Sequence, residues 1–403
     1  MNSIKHIFLY GCLMANVYSC STTSNANSGN SDLSKIVTGA AQMEAYLPLI
    51  KGKVIAIVAN QTSVVGSRHL VDTLLKLKVE IKLVFAPEHG FRGEAEAGET
   101  VLSGRDSKTG LSMISLYGDH KKPSSEDLAG IDMVVFDIQD VGARFFTYIS
   151  TLNEVMEACA EKGIPVLVLD RPNPNGNYVD GPILDPNFTS FVGMNPVPVV
   201  HGLTMAEYAL MLNGEGWLSN HIKCELFYVK IKNWDHNSIY NLPIPPSPNL
   251  PNMTAVFLYP SLCFFEGTMV SLGRGTDFPF QVFGYPEMPG GKFTFTPRSI
   301  KGKSVKPLYE GQKCSGIDLR NFREQKNINL KQVNLKWLMA CYNATTTKAT
   351  FFNKFFDTLA GSDQLRLQIV AGIDEGTIRQ GWQKGLAEFK KKRLNYLLYK
   401  DFE

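Results

Sequence analysis

Short apolar runs alternate with helical patterns between about residues 50 and 215. Four of the runs are continuous: VIAIVAN (54–60), KLVFAPE (82–88), MVVFDIQ (133–139) and PVLVLDRP (165–172). Such runs are typical of parallel strands that are covered on both faces. Between them the pattern predicts helices at 69–78 and 147–162, and a third helix after Thr204, which forms a capping box with Glu207. The alternation predicts a doubly wound, mostly parallel α/β sheet.

The Pro-rich passage LPIPPSPNLPNM (242–253) interrupts this alternation. Its prolines exclude a helix or a central strand, so we place a domain boundary at about residue 250. The first domain then spans 41–250 and the second spans 251–403. In the second, AVFLY (255–259), TMVSLG (268–273) and KFTFTP (292–297) are strand-like, and amphipathic patterns predict helices at 330–344 and 377–399. We expect a smaller α+β domain here.

The first twenty residues have the pattern of a secretory signal. Lys5 and His6 precede an apolar run (7–17) that is shorter than the roughly 20 residues of a membrane-spanning helix. The segment ends in VYSC, which resembles a bacterial lipobox with Cys20 as the lipidated residue, and a Ser/Asn/Gly-rich tether follows. We expect a signal peptide (1–19), then a lipidated cysteine and tether (20–40), and an exported, membrane-anchored protein on the periplasmic or cell-surface side. The alternative is a plain cleaved signal in which Cys20 is incidental.

Charge and cysteine content exclude several classes of function. The net charge is +3, and the one basic block, KKKR (390–393), lies in a helical pattern and is read as a solvated face, so nucleic acid is not an expected partner. The five cysteines beyond residue 20 are scattered and predict neither a disulfide framework nor a zinc site. Cys159 and Cys341 fall at core positions of helical patterns. We expect no metal and no cofactor.

Polar residues of catalytic types follow each of the four predicted strands. In open α/β sheets, ligands bind in the crevice outside the carboxyl ends of the strands. The sequence therefore predicts one shared site at this edge. Its candidate residues, in chain order, are Asn60, Glu88, His89, Asp137, Asp140 and Asn173.

The segment FAPEHGFRGEAEAGE (85–99) is the richest of these strand ends. Glu88 is the first carboxylate after its strand, where partial burial would raise its pKa as a general acid requires. His89 is either a second acid/base or a partner of the neighbouring turn. Gly90 and Gly93 allow that turn. Arg92 either holds a substrate carboxylate or neutralises a neighbouring glutamate.

Further candidates lie at the strand ends and in the second domain. Asp137 is either a structural partner of Arg144 or a member of the site, and Asn173 either contacts sugar hydroxyls or caps its own turn. Glu266 and Arg274 lie in an aromatic-rich stretch (260–284) that fits a polar ring ligand. The chain has no G-x-S-x-G elbow, no H-E-x-x-H and no Walker lysine motif. Hydrolysis catalysed by carboxylic acid side chains is the chemistry for which the sequence provides the most candidate residues.

Seven segments together resemble the NamZ family of exo-β-N-acetylmuramidases. They are FAPEHGFRGEAEAGE, VVFDIQDVGARFFTYISTL, LDRPNPNG, GPILD, VHGLTMAEYALMLNGE, PPSPNLPNM and EGTMVSLGRGTDFPFQVFG. The resemblance implies a Rossmann-like domain and a smaller C-terminal domain with the active site in the cleft between them. It also implies release of N-acetylmuramic acid from the non-reducing ends of peptidoglycan fragments. The proposed catalytic glutamate of the family corresponds to Glu88, with His89 and Arg92 lining the site.

The two lines of reasoning converge on a glycosidase whose general acid is Glu88. For a second carboxylate the order of preference is Asp137, Asp140 and Glu266, unless the 2-acetamido group of the substrate takes that role. The lactyl carboxylate of the sugar requires a cation, for which the candidates are Arg92, Arg144, Arg274 and, behind them, Arg171. The expected ligands are saccharides of N-acetylmuramic acid and N-acetylglucosamine. The main alternative is a membrane-tethered muropeptide-binding protein without turnover; an esterase or amidase is disfavoured.

Overall fold

A seven-stranded sheet forms the centre of the first half of the chain. The structure is a computed structural model that describes residues 35–93, 103–324 and 331–403. The strands of this sheet are β1 (Val54–Ala59), β4 (Glu80–Ala86), β5 (Gly104–Arg105), β6 (Ser112–Ser115), β7 (Met133–Asp137), β8 (Val166–Leu169) and β11 (Leu226–Val229). Their order is β11-β8-β7-β1-β4-β6-β5, and every pair is parallel except β5 with β6. The four predicted strands are confirmed, and they lie side by side.

The central strands are apolar throughout because both faces of the sheet are covered. In β1, Ala56 and Val58 belong to one buried cluster, whereas Ile55 and Ile57 belong to another on the opposite face. Helices α1 (Met43–Ile50) and α2 (Leu70–Lys76) cover the second face. Helices α3 (Tyr148–Lys162) and α4 (Met205–Gly214) cover the first. The capping box predicted at the start of α4 is present.

The second half of the chain adds a smaller α+β domain. Its sheet is antiparallel, in the order β12 (Val282–Tyr285), β14 (Cys314–Asp318), β13 (Phe293–Phe295). Its helices are α5 (Met253–Leu262), α6 (Lys336–Ala344), α7 (Phe355–Ala360), α8 (Gln364–Val370) and α9 (Glu375–Arg393). Two short antiparallel ladders complete the strands: β2 (Val64–Val65) with β3 (Arg68–His69), and β9 (Asp180–Ile183) with β10 (Pro198–Val200). The predicted fold class is confirmed.

Several element predictions in the second half are wrong. AVFLY is part of helix α5, because the Asn252 side chain accepts the backbone N–H of Ala255 and caps a ten-residue apolar run. TMVSLG forms only isolated bridges, at Thr268 and Ser271. Helix α6 begins at residue 336 rather than 330, and α9 ends at residue 393 rather than 399. In the basic block Arg393 is buried and pairs with Asp401, so the block is only partly a solvated face.

One compact unit contains residues 36–403. Within the described ranges, no helix is long and apolar enough to cross a bilayer. The five cysteines in these ranges are free and buried, Cys159 and Cys341 among them in the core. The predicted signal, Cys20 and most of the tether lie outside the described residues. The predicted boundary at residue 250 remains a prediction.

Candidate active site

Glu88 lies in a tight turn directly after strand β4. The carbonyl of Pro87 accepts the backbone N–H of Gly90 at 2.9 Å, which makes Glu88 the second residue of a four-residue turn. The third residue, His89, has φ 72°, and Gly90 follows with φ 75°. A left-handed histidine is unusual, and backbone strain of this kind concentrates at functional sites. Gly93 also has a positive φ of 77°, as the sequence predicted for the two glycines.

The start of helix α3 holds Glu88 in place. The Thr147 hydroxyl donates to Oε2 of Glu88 at 3.0 Å. The next residue, Tyr148, is buried, and its hydroxyl lies 3.4 Å from the Glu88 carbonyl and 2.9 Å from Nδ2 of Asn60. Asn60 is itself fully buried and accepts from Thr62, so it supports Tyr148 from inside rather than facing a ligand. Thr147 thus holds the carboxyl group of Glu88, and Tyr148, supported by Asn60, contacts its backbone carbonyl.

Glu88 lines a cavity of about 580 Å³ between the edge of the large sheet and the smaller domain. This volume is typical of a small-molecule site, roughly 300–1,000 Å³. The polar residues of its wall are Glu88, His89, Thr147, Ser247, Asn249, Glu266, Arg274, Lys303, Ser304 and Lys306. The aromatic residues of its wall are Tyr117, Phe145, Phe146, Tyr259, Phe280 and Phe355. Such a mixture suits a sugar, which has polar edges and apolar faces.

Glu266 and Arg274 face Glu88's cavity from the smaller domain. Glu266 lies in the short helical turn after α5, and Arg274 lies between two glycines with positive φ. Nε of Arg274 donates to Oε1 of Glu266 at 2.7 Å, and both side chains are about a quarter exposed, at 27% and 23%. The thiol of Cys263 lies 3.7 Å from the other carboxylate oxygen. Within the described ranges, Glu88 and Glu266 are the two carboxylates that line the cavity.

The other two predicted carboxylates are buried away from the cavity. Asp137 forms an ion pair with Arg171 at 2.6 Å, and the side chains are 0% and 3% exposed. Of the two roles that the sequence allows for Asp137, the pairing with Arg144 is wrong, since Arg171 is the partner, and Asp137 does not line the cavity either. Asp140 accepts the backbone N–H of Gly142 at 2.6 Å, and burial raises its pKa to about 7.

His201 lies beside Asp140, with Nε2 4.0 Å from Oδ2. Burial, with smaller contributions from Arg393 and Arg144, lowers the pKa of His201 to about 3. Both side chains are buried and neither lines the cavity. The pair therefore belongs to the interior of the fold, behind the loop that follows β7.

Arg144 is also fully buried and serves as a bridge between the two halves. Its guanidinium donates to the carbonyls of Pro182 and Val197 at 2.8 Å, and to those of Leu359 and Ala360 at 3.0 and 2.8 Å. Burial lowers the pKa of Arg144 to about 9. Leu359 is part of the cavity wall, so Arg144 supports that wall from behind.

Arg92 and Asn173 are likewise engaged in the fold. Arg92 bonds Asp106 at 2.8 Å and Asp72 at 3.2 Å, and its hydrogen bond lowers the pKa of Asp106 to about 2. Asn173 accepts the backbone N–H of Asn175, and so caps its own turn, as one of the two readings of the sequence predicted. Neither residue lines the cavity. The glutamates at 94, 96 and 99 lie outside the described residues.

Sequence reasoning missed part of the wall. The Pro-rich passage, read only as a boundary, contributes Ser247 and Asn249 to the cavity. The sequence pattern predicts Thr147 only as the start of a helix, although its hydroxyl also holds Glu88. Lys303 and Lys306 lie in a stretch without any motif, and only the turn glycine between Lys301 and Lys303 hints at a shaped loop.

Comparisons with known proteins agree with this architecture. The family models for the N-terminal and C-terminal parts of the exo-β-N-acetylmuramidase NamZ match residues 55–254 and 257–399. The peptidoglycan β-N-acetylmuramidase NamZ of Bacillus subtilis (strain 168) is 36% identical over 412 residues, covering 97% of this chain and 98% of that protein.

Two solved structures have the same fold, and both are DUF1343 family proteins from Bacteroides fragilis NCTC 9343. The first is 46% identical with a TM-score of 0.83, and the match covers 91% of this chain and 100% of the other. The second is 29% identical with a TM-score of 0.78, and the match covers 91% and 99%.

Proposed function

The chain belongs to the NamZ family of exo-β-N-acetylmuramidases, and from this premise we propose that Glu88 is its general acid. The protein is a glycoside hydrolase that releases N-acetylmuramic acid from the ends of peptidoglycan fragments. The observation that carries the catalytic assignment is the placement of Glu88, half-buried on the cavity wall and held by Thr147.

A glycosidase needs an acid that protonates the leaving oxygen. The tight turn and the Thr147 bond restrict Glu88 to one region of the cavity, which favours proton transfer to a bound glycosidic oxygen. The second carboxylate we assign to Glu266, since it lines the same cavity and Arg274 fixes its orientation. It activates the attacking water, or orients the 2-acetamido group of the substrate if that group is the nucleophile.

The competing function is a tethered muropeptide-binding protein without turnover. The same cavity would serve both functions, because aromatic and polar walls bind sugars with or without catalysis. Two carboxylates on one cavity wall favour the enzyme, since a receptor for an anionic sugar gains nothing from added negative charge.

The assignment is tested with two chromogenic substrates, an aryl β-N-acetylmuramide and the matching β-N-acetylglucosaminide. The purified chain is expected to release the aryl group from the muramide only. Binding of the muramide without release, at any pH between 5 and 8, would identify the protein as a receptor.

We also propose that the protein is exported and anchored through lipidated Cys20. The support is the signal-like segment, the VYSC sequence and the polar tether that follows it. In a bacterial host, the wild-type chain should fractionate with membranes and the Cys20→Ala variant should not. If the wild-type and Cys20→Ala chains were found in the membrane fraction in equal proportions, the proposed lipid anchor at Cys20 would be wrong.

A further inference from the structure

Two lysines, Lys303 and Lys306, line the same cavity from the smaller domain. Both side chains are exposed. Within the described ranges, no carboxylate forms an ion pair with either ammonium group, whereas Arg274 on the same wall is paired with Glu266. Among the residues that the structure describes, the lysines are thus the two Lys/Arg side chains of the wall that have no ion-pair partner.

The loop that carries the lysines is held rigidly by its backbone. Ile300 and Ser304 exchange two backbone hydrogen bonds of 2.8 and 2.9 Å, and Gly302 closes the turn between them with φ 75°. The buried side chain of Asn249 donates to the carbonyl of Lys303 at 2.8 Å. This bond ties the loop to the Pro-rich passage, whose Ser247 and Asn249 also line the cavity.

A second anchor lies at the other end of the loop. Pro307 packs so closely on Gly275 that a Cβ at the glycine would lie 2.7 Å from the proline ring. The backbone N–H of Arg298 donates to the Gly275 carbonyl at 2.9 Å. Lys306 therefore extends from a fixed point beside the Arg274 loop, and binding an anion costs little ordering of the backbone.

The arginines that the sequence suggests for an anionic group already have partners within the protein. Ion pairs or buried carbonyls engage Arg92, Arg144, Arg171 and Arg274. A lysine is a compact charge on a flexible stem and needs no fixed fork geometry to meet a carboxylate. In the described part of the chain, Lys303 and Lys306 are therefore the side chains of the wall that provide positive charge without an ion-pair partner.

We propose that Lys303 and Lys306 bind the lactyl carboxylate of N-acetylmuramic acid and so select this sugar over N-acetylglucosamine. The inference rests on the proposed function. N-acetylglucosamine lacks the lactyl group, so the two sugars differ at this carboxylate and its short stem. Recognition by two exposed lysines provides selectivity mainly through substrate affinity rather than through the chemical step.

The test uses two aryl β-N-acetylmuramides, one with the free lactyl carboxylate and one with that carboxylate converted to its methylamide. The wild-type enzyme should prefer the acid by roughly 10-fold or more in kcat/KM, as expected for charge-assisted hydrogen bonds. In the double variant Lys303→Ala/Lys306→Ala, the ratio should fall to about 1 through a raised KM for the acid. The kcat values should stay within about 2-fold, and Lys303→Arg/Lys306→Arg should restore the preference.

Lys301→Ala is the matched control, because Lys301 is an exposed lysine of the same turn that does not line the cavity. It should keep the wild-type ratio. An unchanged ratio in the double variant, or an equal fall in Lys301→Ala, would overturn the assignment of the lysines while the hydrolase stands. Hydrolysis of neither substrate by the wild-type chain would overturn the proposed function and the lysine assignment with it.

Discussion

Two carboxylate–arginine pairs in this protein have the same chemistry and opposite surroundings. Asp137 and Arg171 are completely buried behind the end of β7, with exposures of 0% and 3%. Glu266 and Arg274 are about a quarter exposed on the cavity wall. The first pair is part of the fold, and the second is available to a ligand. The residue types alone do not separate structure from function; the direction in which the side chains point does.

The largest expected effect is on the buried pair. Asp137→Ala leaves the Arg171 guanidinium buried without its carboxylate, and we expect a loss of about 3–5 kcal/mol in the free energy of unfolding. Glu266→Ala, whose partner reaches solvent, should cost no more than about 1 kcal/mol. Urea unfolding of both variants measures the contrast. Equal losses would erase the distinction between the two pairs.

The next effect concerns activity on the cavity wall. Glu266→Gln should lower kcat/KM for an aryl N-acetylmuramide by at least about 10-fold, because the second carboxylate is neutralised. Asp318→Asn is the control, since Asp318 pairs with Arg320 in the same domain but outside the cavity. It should leave the rate within about 2-fold. A Glu266→Gln enzyme with the wild-type rate would remove Glu266 from the mechanism.

The smallest effect is a pH dependence at the buried acid Asp140. Burial raises its pKa from 3.8 to about 7 in the folded chain. The folded state keeps this proton between pH 4 and pH 7 while the unfolded state releases it. Asp140 therefore contributes stability at low pH that is lost as the pH rises toward 7.

Asp140→Asn cannot ionise, so its stability relative to the wild type should increase between pH 5 and pH 8. We expect a change of about 1 kcal/mol or more in the difference between the two free energies of unfolding. The unfolding curves of both chains at the two pH values provide the measurement. A constant difference would mean that Asp140 titrates normally.

The large sheet could be predicted from the sequence because continuous apolar runs have one simple explanation, burial on both faces. The elements of the second domain were harder to predict. A five-residue run such as AVFLY fits a strand or a buried helix equally well, and the cap that decides between them, Asn252, lies three residues before the run.

The candidate site also has a part that the sequence pattern predicts and a part that it does not predict. That Glu88 follows a strand and faces a cavity was predictable, since carboxyl ends of parallel strands share one edge. Asp137 also follows a strand, yet its side chain turns inward to Arg171, and only tertiary contacts decide this. Lys303 and Lys306 reach the cavity through a loop without a motif, so sequence pattern provided no signal for them.

The central claim is that Glu88 donates a proton to the departing oxygen, and leaving-group dependence tests it most directly. Glu88→Gln should be compared with the wild type on two muramides, one with a sugar and one with dinitrophenolate as the leaving group. The variant should lose at least about 100-fold in kcat/KM on the sugar substrate, which needs the proton, as is typical for general acids. On the dinitrophenyl substrate, which departs without a proton, the loss should be far smaller. Equal losses on both substrates would contradict the account.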